Sequence, residues 1–155
     1  MRLLKSFYYA FCGILHCIKY ETNFRIHIVA MITVIIFSGI YGVYSYEKAI
    51  LVILIALVMV GELLNTAIEA MVDIISPGRT ENGKIAKDAA AGAVLVFALG
   101  AVICAFFIFS DLKKWAENIV PFLRKNWFYA AAYVILAWLF VFKTGAKKTK
   151  EDKRG

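Results

Sequence analysis

Proline occurs only twice and glycine ten times in these 155 residues. That leaves little room for disordered segments. Charge is also scarce: charged residues are 19% of the chain, and they cluster. The three cysteines, Cys12, Cys17 and Cys104, are odd in number, lie in apolar surroundings and form no C-x-x-C pair. They read as small hydrophobes with free thiols, with metal or disulfide roles as the alternative. The apolar runs are continuous and do not alternate, which speaks against a transmembrane barrel. No small-residue cleavage site precedes the first apolar run, so no secretory leader is expected.

What is abundant is hydrophobicity. Apolar residues make up 62% of the chain and the mean hydropathy is +0.73, whereas about 45–50% apolar is usual for soluble domains. The fold class expected is an all-α integral membrane protein, because a segment in lipid must satisfy its own backbone hydrogen bonds. The net charge of +7 owes its largest share to the tail KTGAKKTKEDKRG, Lys143 to Gly155. Basic tails beside a membrane face the anionic cytoplasmic leaflet, so this charge is no nucleic-acid footprint.

Residues 2–20 predict an amphipathic helix. Arg2, Lys5, Tyr9, His16 and Lys19 fall within an arc of roughly 100°, with Leu3, Phe7, Phe11 and Ile14 opposite. Such a helix lies in the membrane interface; the alternative is an ordinary helix packed on its neighbours. ETNFR, residues 21–25, reads as a polar hinge. Spans are expected at about 26–45, 49–75 and 89–110. Tyr41, Tyr44 and Tyr46 suggest an aromatic belt at the far end of the first. Glu47 and Lys48 make a short turn, and Ser76-Pro77-Gly78 stops the second span. A polar loop is expected over 79–88 and a mixed-charge connector over 111–126. The apolar run 127–142 predicts a fourth, short span. The basic residues favour an N-terminus inside, although Lys113, Lys114, Arg124 and Lys125 then lie outside, against the rule.

One stripe carries the chemistry. Glu62, Asn65, Glu69 and Asp73 are spaced 3, 4 and 4, within roughly 80° on one helix face. Ionisable groups inside a span are costly and usually serve a function. Glu62 is the deepest, and a desolvated carboxylate there suits a general base. Glu62 and Glu69 are two turns apart, about 10 Å, too far for one cation to bridge from this helix alone. A Mg²⁺ ion takes one or two carboxylates plus substrate phosphates, so Glu69 needs a partner, and Glu21 is the acid available on the same side. Lys87 and Asp88, directly before the third span, would favour phosphate at a helix start. GRTENGK, Gly78 to Lys84, imitates a phosphate-binding G-x-x-x-x-G-K loop, but Ile85 replaces the hydroxyl and no strand precedes it. It reads as a Gly-rich turn. Asn65 alone could serve an interhelical hydrogen bond, and Asp73 alone a structural ion pair.

E-L-L-N-T-A-I-E-A-M-V-D, followed by A-K-D-A-A-A-G-A-V-L-V, resembles the signature of the small prokaryotic diacylglycerol kinases. The hinge E-T-N-F-R-I-H resembles their Gram-positive branch, which includes undecaprenol kinases. The resemblance covers residues 1–110 and leaves 111–155 as an extension of unassigned function. It implies a homotrimer of three-span protomers with a surface helix, in the cell membrane, with its active site on the cytoplasmic side. It implies ATP- and Mg²⁺-dependent phosphorylation of a lipid alcohol, undecaprenol first and diacylglycerol as the alternative. By position, Glu62 matches the general base, and Glu21 and Glu69 the metal carboxylates, which also belong to the ATP site. Asn65 matches a supporting polar residue and Asp73 the acid ending the stripe. Lys87 and Asp88 match a nucleotide-binding pair, and Arg2, Tyr9, Gly78, Arg79 and Thr80 resemble further ATP contacts. Two readings from other classes remain: a proton-coupled transporter subunit, and a structural membrane protein in which the stripe serves stability.

Overall fold

The computed structural model describes residues 2–76, 78 and 80–143. Arg79 and the basic tail over 144–155 lie outside the described residues, as does the side chain of Arg2. Helices run Arg2–Tyr20 (α1), Thr22–Tyr41 (α2), Ser45–Ile75 (α3) and Glu81–Ile108 (α4). A single turn, Leu112–Lys114 (α5), and a π-helical turn, Trp115–Ile119, lead into Val120–Lys143 (α6). Among the described residues there is no strand.

Four helical stretches are long and apolar enough to cross a membrane: α2, α3, α4 and Leu112–Lys143. The chain is an all-α, multi-pass integral membrane protein. Its outward faces agree, because Val96, Val102, Phe106 and Phe107 on α4 are all exposed. Water would penalise such a surface, and lipid does not.

The helices are longer at their polar ends than hydropathy predicts. α2 begins at Thr22, so most of the expected hinge is its first turn and only Glu21 lies between α1 and α2. It ends at Gly42, whose φ of +76° is left-handed and whose N–H bonds the Ser38 carbonyl. α3 begins at Ser45. Glu47, expected in a turn, accepts the Tyr44 N–H at 2.7 Å and caps this helix instead. Tyr41 is fully buried rather than part of an aromatic belt, while Tyr44 and Tyr46 stack in the open.

The polar loop expected over 79–88 is mostly helix. Thr80 caps α4 by accepting the Gly83 N–H at 3.2 Å. A Cβ at Gly83 would meet Thr80 Oγ1 at 2.8 Å and Val72 Cγ1 at 3.1 Å, so the glycine lets the cap close against α3. That accounts for the glycine in the false phosphate-loop pattern. α3 has 31 residues, about 46 Å of helix. A hydrocarbon layer is about 30 Å thick. The ends of α3 and α4 therefore project beyond it as one hairpin. These two helices make the most extensive pairing in the molecule. Gly61 makes this possible, because a Cβ there would meet Phe97 Cδ2 at 3.1 Å.

The expected connector over 111–126 is helical too, and kinks at Asn126, where φ is −118° and ψ is 23°. Asn126 Nδ2 donates to the Phe122 carbonyl at 3.0 Å, replacing a helical bond lost at the kink. The fourth apolar run begins at the next residue. It packs antiparallel on α2: Tyr133 meets Thr33 Oγ1 at 2.7 Å and the Val29 carbonyl at 3.2 Å. Arg25 Nε donates to the Val141 carbonyl at 3.0 Å. Arg25 to Thr33 and Tyr133 to Val141 span equal lengths of helix, so the register is regular.

Candidate functional site

The stripe on α3 faces α2 and α4 at the end of the bundle near the α3–α4 hairpin. Glu62 is its buried member, 4% exposed. Its Oε1 lies 3.2 Å from Nε2 of His27 on α2. Glu21, at the α1–α2 junction, and Glu69, two turns along α3, both lie within electrostatic reach of Glu62. One turn above Glu62, Asn65 Nδ2 donates to Glu69 Oε1 at 3.1 Å. This bond orients the amide, since the opposite rotamer would turn oxygen on oxygen. Asn65 Oδ1 is then buried without a partner among the described residues. An unpaired buried acceptor costs about 1–3 kcal/mol. Groups left in that state mark a place where something else binds.

A cavity of about 250 Å³ opens at this point. Asn23, His27, Glu62 and Asn65 form its polar side, and Ile26, Ala91, Val94, Leu95 and Ala98 its apolar side. The small residues of α4 make the room. A cavity with one polar wall and one apolar wall suits a single hydroxyl on an apolar stem.

Further out, Lys87 Nζ pairs with Asp73 Oδ1 at 2.5 Å. Lys87 and Asp88 are inside α4, nearly two turns after its start, so they are not at the helix N-terminus that the sequence suggested. The lysine is instead held beside the stripe by Asp73. Asp88 is exposed, as are Gly78 and Thr80 in the hairpin. Tyr9 is exposed on α1, its ring edge-on to Tyr8. Glu21, Asn65 and Glu69 gather around Glu62, while Tyr9, Gly78, Thr80 and Asp88 are exposed.

The oxygen donors fit a hard cation brought with a phosphate substrate. Glu69 keeps one carboxylate oxygen clear of Asn65. Among the described residues no three of His, Cys, Asp and Glu are placed to hold an ion together. Mg²⁺ itself takes one or two carboxylates beside waters and phosphate oxygens.

Two residues escaped the sequence analysis. His27 is a polar side chain inside an apolar helix, the same signal that singled out Glu62. Arg25, read there only as part of the polar hinge, is 4% exposed and ties three helices together. Its partner at Val141 is 116 residues away, beyond any local pattern.

Residues 8–109 match the family described as prokaryotic diacylglycerol kinase. A diacylglycerol kinase of Synechocystis is 43% identical over 102 residues, covering 65% of this chain and 58% of that protein. An undecaprenol kinase of Bacillus subtilis is 42% identical over 108 residues, covering 70% of this chain and 88% of that protein. A diacylglycerol kinase of Escherichia coli K12 is 33% identical over 102 residues, covering 66% and 84%. The chain thus spans less than two thirds of the Synechocystis relative and most of the other two. No solved structure matches. By the family match over most of its length, this chain belongs to the prokaryotic diacylglycerol kinases, a family of membrane lipid kinases.

Proposed function

We propose that this protein transfers the γ-phosphoryl group of ATP to the hydroxyl of a membrane lipid alcohol, undecaprenol first and diacylglycerol as the alternative. The observation that carries this reading is the buried Glu62 carboxylate on the polar wall of a cavity whose other wall is apolar. The lipid hydroxyl enters beside Glu62 and hydrogen-bonds its carboxylate. His27 holds the other side of that carboxylate and fixes its direction. As the lipid oxygen bonds to the γ-phosphorus, its proton passes to Glu62, and the bond to the β,γ-bridging oxygen breaks to release ADP. Such transfer needs positioning and charge stabilisation more than covalent help.

Glu21 and Glu69 are the residues that would hold Mg²⁺, which neutralises phosphate charge when it is bound. Asn65 orients Glu69. Lys87, steadied by Asp73, meets the phosphates from α4, with Asp88 beside it. Arg2, Tyr9, Gly78, Arg79 and Thr80 complete the nucleotide contacts in this reading. Residues 1–110 form the kinase unit and 111–155 an extension. A homotrimer in the cell membrane, its sites on the cytoplasmic side where ATP is present, belongs to the same proposal. The family match leaves the transporter and purely structural readings without support.

The test is a side-by-side assay. The purified protein in lipid nanodiscs is given labelled ATP, Mg²⁺ and either undecaprenol or diacylglycerol. Faster transfer to undecaprenol is expected. Preference for diacylglycerol replaces the first lipid by the second, and no transfer to either removes the kinase reading.

A further inference from the structure

The family match ends at residue 109, yet α6 returns along α2 to the edge of the site. The contact is the buried side chain of Arg25. Its Nε donates to the Val141 carbonyl, in the last turn of α6, at 3.0 Å. One terminal nitrogen donates to the Ile18 and Lys19 carbonyls, in the last turn of α1, at 3.0 and 3.3 Å. The other donates to Thr22 Oγ1 at 3.0 Å. The last four carbonyls of a helix have no partner within it and carry the negative end of its dipole. One such end, that of α1, meets the guanidinium here beside a carbonyl of α6. Its planar fork spreads five N–H donors over three nitrogens and so reaches four acceptors at once, whereas a lysine ammonium has three donors on one nitrogen.

Glu21 sits inside this knot. It is the single residue between α1 and α2, its N–H bonds the Cys17 carbonyl at 2.9 Å and its own carbonyl accepts the Arg25 N–H at 3.3 Å. Its backbone is therefore fixed by the ends of the two helices that Arg25 ties. We infer that α6 is a brace for the kinase site: through Val141 and Arg25 it holds the α1–α2 junction and so positions the Glu21 carboxylate. The inference rests on the assignment of Glu21 to the cation. Arg25 is a positioning residue and touches no reacting atom. The extension is then a working part of the enzyme, and the Thr33–Tyr133 contact further along α2 keeps the brace in register.

The test uses the full chain in nanodiscs and two readouts. The first is amide hydrogen exchange over residues 17–25 without nucleotide or metal. The second is the free Mg²⁺ needed for half-maximal phosphorylation, measured with KM for the lipid. Arg25→Lys loses charge-assisted bonds, and should speed exchange about tenfold and raise the Mg²⁺ requirement about fivefold. KM for the lipid should not change. One alanine inserted after Asn126 turns the side chains of the rest of α6 by about 100°, which takes Tyr133 and the face packed on α2 out of register and undocks α6, leaving α1 to α4 intact in sequence. It should produce the same pair of changes. Tyr133→Phe is milder and should give about a twofold effect on both, in line with the small value of single interhelical hydrogen bonds in membranes. Wild-type exchange and Mg²⁺ dependence in Tyr133→Phe and the insertion variant overturn the brace, as does an Arg25→Lys change confined to the lipid KM. Glu21→Gln separates the two ideas. If it leaves the Mg²⁺ requirement unchanged, the cation assignment has failed whatever Arg25 does.

Discussion

The two ends of the bundle are built from similar residues and satisfied very differently. At the end away from the α3–α4 hairpin, Tyr41 is fully buried and its hydroxyl both donates to the Asp111 carbonyl and accepts the Asp111 N–H, at 3.0 and 2.8 Å. Asn118 Nδ2 takes the Tyr41 carbonyl, and Lys114 Nζ takes the Gly42 carbonyl while lying over the Tyr41 and Tyr44 rings. Phe37, Phe109 and Trp115 pack around them. At the other end a carboxylate is buried, an amide oxygen lacks a partner among the described residues, and both face a cavity with a polar wall, whereas the cavity of about 640 Å³ at the first end is lined almost wholly by apolar side chains such as Phe37, Phe109 and Trp115. Closed polar networks rigidify, whereas open ones leave capacity for a ligand. The comparison assigns stability to the first end and chemistry to the second.

The sharpest way to break that division is Glu62→Gln. A general base contributes roughly 10²–10⁴-fold, so phosphoryl transfer should fall by that order while thermal stability holds or rises, because a neutral side chain is cheaper in lipid. Lost stability with retained activity would reverse the assignment. Tyr41→Phe tests the opposite end. It strands the Asp111 N–H and carbonyl and should lower unfolding stability by about 1–3 kcal/mol, with kcat at low temperature unchanged. A thermal melt and an initial rate on the same sample settle it. His27→Leu removes the hydrogen bond that aims Glu62; about one such bond, or tenfold in kcat, is expected, with KM for ATP unchanged. Asp73→Asn has the smallest effect. The pair it breaks is largely exposed, the aspartate side chain being 70% accessible. Such pairs are worth about 0.2–1 kcal/mol, so KM for ATP should rise only about two- to fivefold. A larger change would place Asp73 in direct contact with the reaction.

Much of the site was legible because it obeys a local period. Glu62, Asn65, Glu69 and Asp73 repeat on one face of one helix, and their cost in lipid makes them conspicuous. The spans were legible from their apolar runs, and the fourth from the run that starts just after the Asn126 kink. Helix ends were not. Hydropathy reports where lipid stops, but hydrogen bonding carries α3 and α4 well past that point, so Lys87 falls inside a helix and pairs across to Asp73. Long-range partners were also hidden. Nothing near Arg25 announces Val141, nothing near Tyr41 announces Asp111, and His27 meets Glu62 only because α2 packs on α3. These are facts of tertiary packing, and a single helix period does not contain them.

In the proposed mechanism the buried carboxylate on α3 takes the proton of a lipid hydroxyl. Single-turnover transfer from labelled ATP to undecaprenol in nanodiscs, comparing the native chain with Glu62→Gln at saturating Mg–ATP and lipid, tests it most directly. A chemical step at least about a hundredfold slower is expected in the variant, with nucleotide binding retained. A variant that transfers phosphate at the native rate would contradict it.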